Sequence, residues 1–117
     1  MKKCYPLPLQ VEKLEDGRRR LLAPFKYQNR DKLITVPAGF EFDGASIPKF
    51  AWSIIGGPFS SGNFRPSVIH DFLCVTEDHP LYDRRHDIFY EMLKIEGKSW
   101  WKRKIMKIAV VIWGWVG

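Results

Sequence analysis

The sequence predicts an α+β fold: an N-terminal antiparallel β-hairpin or meander, a short helix, an antiparallel helical hairpin and a basic amphipathic C-terminal helix. Three observations predict it. Asp16-Gly17 separates two extended runs, which is a hairpin signal. Up to Phe42 the apolar residues come in short runs between turn residues. After Asp43 they recur at helical spacing, with capping residues ahead of the runs.

Taken in order, Leu9, Val11 and Lys13 form the first strand and Arg19–Tyr27 the second. Pro24 has no N–H to give a ladder, so the second strand bends there or lies at an edge. Lys32–Val36 is a third strand, Pro37-Ala38-Gly39 a turn, and Phe40–Phe42 is extended again. Ser46 is placed to cap a short helix over Pro48–Ile55, since Pro is tolerated in a first turn. Gly56–Asn63 is a Gly-rich loop, and Pro66 opens a helix over Pro66–Val75. Thr76–Tyr82 is a loop containing Pro80. Asp83 caps a third helix, Arg84–Ile95, and Gly97 stops it. Ser99 caps the last helix, Trp100–Trp113.

A chain of 117 residues fits a single domain over residues 1–117, mainly strands in 1–42 and mainly helices in 43–117. Its 45% apolar content argues for a collapsed fold rather than disorder. Five Trp and eight Phe can fill a small core with few side chains. The net charge of +6 suits a polyanionic partner or simple solubility, and fixes no chemistry. Two cysteines, Cys4 and Cys74, give no disulfide framework, so reduced thiols are expected. Pro6 and Pro8 interrupt the N-terminus and no signal peptide is read there. Ile105–Gly117 is apolar apart from Lys107, but shorter than the roughly 20 residues a bilayer span needs.

The candidate chemistry gathers on the helical hairpin. Val68, Ile69, Phe72 and Leu73 form an apolar arc, and His70 and Asp71 sit at its opposite edges. On the next helix the arc is Ile88, Phe89, Met92, Leu93 and Ile95, with Asp87 outside its centre. A short connection makes the two helices antiparallel, and a rise of about 1.5 Å per residue puts His70 and Asp87 at similar heights. A His70–Asp87 pair is therefore expected, with the carboxylate fixing the tautomer of a catalytic imidazole. Asp71 points elsewhere and suits a hard cation such as calcium, held with loop carbonyls. Asp43 is a second metal-ligand candidate, or an orienting group for His70. Ser46 is either a nucleophile with His70 as its base or the helix cap. In the plain structural reading His70 makes one ordinary hydrogen bond, Asp87 serves the helix dipole and Asp43 closes an Asx-turn. His79 and His86 carry less. Zinc would want three or four clustered ligands at recognisable spacing, and none is read.

Val36-Pro37-Ala38-Gly39-Phe40-Glu41-Phe42-Asp43-Gly44-Ala45-Ser46-Ile47-Pro48 resembles the GFxTDGASIP signature of a small phage and prophage family, a domain of unknown function. Trp52, Pro58, Val68-Ile69-His70-Asp71-Phe72-Leu73, Arg84 and Asp87-Ile88-Phe89 continue that pattern in order, over roughly Leu33 to Leu93. The resemblance implies a phage or prophage origin and supplies no activity. Phe42 stands where Thr is usual, Cys74 where an aromatic is usual, and His86 where a small residue is usual. His86 is therefore not carried over as a family site residue. A weaker similarity is to secreted phospholipase A2, in which a His activates water, the adjacent Asp binds calcium and a distant Asp orients the His. By motif those roles would fall to His70, Asp71 and Asp87. The paired disulfides and the calcium loop of that family are not reproduced.

Lys98–Ile108 interleaves Trp100 and Trp101 with five basic residues, and an apolar segment follows. Such a helix suits a membrane surface, a partner protein or the domain core. No nucleic-acid motif is read. Two functions follow as expectations. One is a hydrolase-like His/Asp site, metal-assisted or not, acting on lipid or cell-envelope material. The other is a non-catalytic virion, tail or host-interaction protein in which the polar cluster is structural. The partners would be a phage structural protein or a host envelope component, and the location the host cytoplasm or the virion.

Overall fold

The computed structural model describes residues 4–43 and 63–116. Strands precede helices, as the α+β reading requires. The chain divides into two compact units, Met1–Asp43 and Gly44–Gly117, at the change from strand to helix. The expected helix Pro48–Ile55, its cap Ser46 and the loop as far as Gly62 lie outside the described residues.

In the first unit, β1 (Val11–Lys13), β2 (Arg19–Leu21) and β5 (Glu41–Phe42) form an antiparallel sheet in the order β1-β2-β5. The hairpin expected at Asp16-Gly17 is present. Gly17 takes φ +91, which a side chain resists, and Asp16 accepts hydrogen bonds from the Arg18 N–H and Nε. Register places Glu12, Arg20 and Glu41 in one row across the three strands. Their ion pairs, Arg20–Glu12 at 3.1 Å and Arg20–Glu41 at 3.6 Å, are cross-strand contacts on a partly exposed face.

The second expected strand is two strands. Pro24 interrupts it, so β2 ends at Leu21 and β3 (Phe25–Asn29) pairs instead with β4 (Lys32–Val36). Strict alternation shows in this hairpin: Phe25, Tyr27, Ile34 and Val36 are fully buried, while Thr35 and Leu33 face out. Its tight turn places Arg30 at φ 58, a conformation few side chains adopt.

In the second unit, α1 (Phe64–Val75), a 3₁₀ turn (Tyr82–Arg84), α2 (Arg85–Ile95) and α3 (Trp100–Val116) follow one another. α2 packs against both α1 and α3. Phe89 and Leu93 of α2 meet Met106, Ala109 and Val110 of α3 in one apolar cluster. Asp83 does not cap the helix as expected. It lies inside the 3₁₀ turn, which runs into the front of α2 through the Arg85 N–H to Tyr82 carbonyl bond. Gly97 does end α2. At φ +88 it lets its own N–H reach the Lys94 carbonyl while the Lys98 N–H reaches that of Leu93. That pair of bonds is the Schellman closure, and it satisfies carbonyls the helix leaves open.

Candidate functional site

α1 carries Ser67, His70 and Asp71 inward and leaves Arg65 exposed. His70 is 2% exposed and Asp71 8% exposed, among Val68, Ile69 and Leu73. The side chain that meets His70 comes from α2, and it is His86. His70 Nε2 lies 2.9 Å from His86 Nδ1, and the His70 ring also packs against Phe89, tilted, with centroids 4.9 Å apart. Cys74, one turn along α1, places its Sγ 3.8 Å from both ring nitrogens of His70.

The expected His70–Asp87 pair is thus replaced by an imidazole pair. Asp87 is largely exposed and binds Lys107 of α3 at 2.8 Å. The reason is helical rotation. At about 100° per residue, His86 stands on the Phe89–Leu93 edge of α2, whereas Asp87 points away from the buried side. That edge was readable in the sequence, because His86 precedes Phe89 by three residues and Leu93 by seven. The charged residues flanking His86 masked it.

Burial sets the protonation of the site. It pushes His70 down to about 3, with His86 and the Arg85 guanidinium adding to the effect. His86 is also lowered by burial and by Arg85, while the Asp87 charge acts in the other direction. Burial and the nearby Asp71 charge push the Cys74 thiol up to about 11, so it stays protonated. At neutral pH the pair holds one N–H between two rings, and that shared proton fixes both tautomers.

A cavity of about 390 Å³ opens beside the pair, lined among others by His70, Cys74, Tyr82, Arg85, His86 and Gly114. Arg85 is held there by its bond to the Tyr82 carbonyl at 2.9 Å and by stacking 4.0 Å over the Tyr82 ring. The second nitrogen of His86, Nε2, faces Gly114, where a Cβ would lie 4.0 Å away.

Of the remaining candidates, Asp43 is exposed at the end of the first unit, and Ser46 lies outside the described residues. Asp71 is buried on α1 near Cys74. Among the described residues no group of three or more His, Cys, Asp or Glu side chains is placed to hold a metal ion. His79 accepts the Leu81 N–H at 3.0 Å in the connecting turn, away from the pair's contacts.

A family model described as "Protein of unknown function (DUF1353)" matches residues 19–110. Two proteins of Sinorhizobium fredii are similar. Uncharacterized protein y4jT is 44% identical over 79 residues, which is 68% of this chain and 23% of that protein. Uncharacterized protein y4iH is 33% identical over 72 residues, 62% of this chain and 30% of that protein. The chain therefore spans less than a third of either relative. No solved structure matches it.

Proposed function

The chain belongs to the DUF1353 family, and we propose that its helical unit is a hydrolase-like acid–base site in which His86 meets the substrate and His70 positions it. One observation carries this reading: the 2.9 Å imidazole pair stands at the wall of a cavity of about 390 Å³. A general base needs a free nitrogen toward the substrate and a partner on the other nitrogen. His86 Nε2 faces the cavity side at Gly114, and His86 Nδ1 faces His70.

The depressed basicity of His70 is then useful. A ring that stays neutral keeps a lone pair on Nε2 to accept the His86 Nδ1–H. In that tautomer the His70 Nδ1–H lies beside Cys74. His86 Nε2 would take a proton from water as the oxygen attacks an acyl carbon, and return it to the leaving group. Arg85, lining the same cavity, supplies positive charge for the oxyanion that forms. Lipid or cell-envelope esters and amides are the substrate class, and a phage or prophage source is the origin that the DGASIP and HDFL motifs support.

The test is hydrolysis of short-chain and phospholipid esters by the full chain, His86→Gln and His70→Gln. The expected result is a loss on the order of 10²-fold for His86→Gln. For His70→Gln a smaller loss with a displaced pH profile is expected. Undiminished hydrolysis by His86→Gln contradicts the reading. One observation favours a second reading: His70 is sealed against Phe89, as a packing residue would be. In that reading the chain is a non-catalytic virion, tail or host-interaction protein. It predicts that His70→Gln and His86→Gln lower the melting temperature while the parent chain hydrolyses nothing.

A further inference from the structure

α3 carries two apolar faces, and only one of them is used by the fold. Met106, Ala109 and Val110 are buried against α2. Trp101, Ile105, Ile108 and Ile112 are 36–58% exposed. Their spacing of four, three and four residues sets them in one stripe, within roughly 60° of arc on a 3.6-residue helix. The stripe lies about 120° round the helix from the buried face by the same geometry.

Charge decides what covers it. α3 contains Lys102, Arg103, Lys104 and Lys107 and no acidic residue. Lys102 and Lys104 lie over the exposed rings of Trp101 and Trp100, at 5.5 and 5.7 Å, so cation and aromatic face solvent together. A second copy of a chain with net charge +6 would bring like charges together. An acidic protein would match the lysines but not a row of isoleucines bracketed by tryptophans. A bilayer carrying anionic headgroups matches both: the isoleucines enter the acyl boundary, the tryptophans sit at headgroup level and the lysines meet phosphate. No helix among the described residues is long and apolar enough to cross a membrane.

We infer that α3 lies in the plane of an anionic membrane surface, inserting Trp101, Ile105, Ile108 and Ile112. This stands independently of the catalytic reading.

The experiment is co-sedimentation of the full chain with phosphatidylcholine vesicles containing about half phosphatidylglycerol, against pure phosphatidylcholine vesicles. Circular dichroism and size-exclusion chromatography accompany each variant. Binding to the anionic vesicles is expected, with a blue shift of tryptophan emission. Lys102→Gln with Lys104→Gln should weaken partitioning on the order of 30-fold, at about 1 kcal/mol for each basic residue near the surface. Ile108→Ser with Ile112→Ser should weaken it at least tenfold with helicity unchanged, since both side chains are already exposed. Absence of binding to the anionic vesicles overturns the inference. So does equal binding by the isoleucine double variant, or a dimer that this variant dissolves.

Discussion

Acid should loosen the helical unit, and His70 should be the main cause. In the folded chain burial holds His70 down at about 3, whereas in the unfolded chain it regains its ordinary 6.5. Between those values the unfolded state binds a proton that the folded state does not. Stability is therefore complete above about pH 6.5 and falls as pH drops, by about 1.4 kcal/mol per unit. Integrated from pH 7 to pH 5 the loss is about 2 kcal/mol, against a typical total of roughly 5–15 kcal/mol. His86 is shifted in the same direction and adds to it. Asp87, held below the usual carboxylate range by its hydrogen bond from Lys107, titrates beneath this window. The assay is urea unfolding followed by helical circular dichroism at pH 7, 6 and 5, for the parent chain and His70→Gln. The glutamine variant should lose most of the pH dependence. A parent chain equally stable at pH 7 and 5, or a variant with the same slope, refutes the burial argument.

Other outcomes follow from single contacts. Gly97→Ala meets no atom within 4 Å, so its cost is purely that of φ +88, and thermal unfolding should show a loss of about 1 kcal/mol; no change would mean the helix end can refold around alanine. Cys74, with its thiol at about 11 rather than 9.0, should react with iodoacetamide about a hundredfold more slowly than an ordinary thiol. This is measured in a Cys4→Ser background, and a rate equal to that of the unfolded chain would contradict the burial of the site. The Asp87–Lys107 pair is exposed, so a double-mutant cycle of Asp87→Asn and Lys107→Gln should give less than about 1 kcal/mol of coupling. A coupling above about 3 kcal/mol would mean a buried pair and a different arrangement of α2 and α3.

The fold was legible where one residue type dictates backbone geometry. Gly17 and Gly97 take the left-handed conformations their turns demand, and Pro24 breaks a ladder because it lacks an N–H. Period-two alternation in β3 and β4 likewise sets their core side chains. The start of α2 was not legible, because a 3₁₀ turn can take the place of an Asp83 cap without changing composition. The site was half legible. His70 stood out on an apolar arc, but its partner depends on how two helices are rotated against each other. A shift of one residue exchanges Asp87 for His86 and reverses the electrostatics from a carboxylate pair to a neutral imidazole pair. Sequence spacing constrains heights along antiparallel helices more tightly than it constrains rotation about their axes.

A buried, neutral His70 shares one proton with half-buried His86. Long-range ¹H–¹⁵N spectra of histidine-labelled protein at pH 6 test it directly. His70 should be uncharged, its Nε2 coupled across a hydrogen bond to His86 Nδ1, with one of those two nitrogens protonated. A His70 ring that titrates near 6.5, or that shows no coupling to His86, would contradict it.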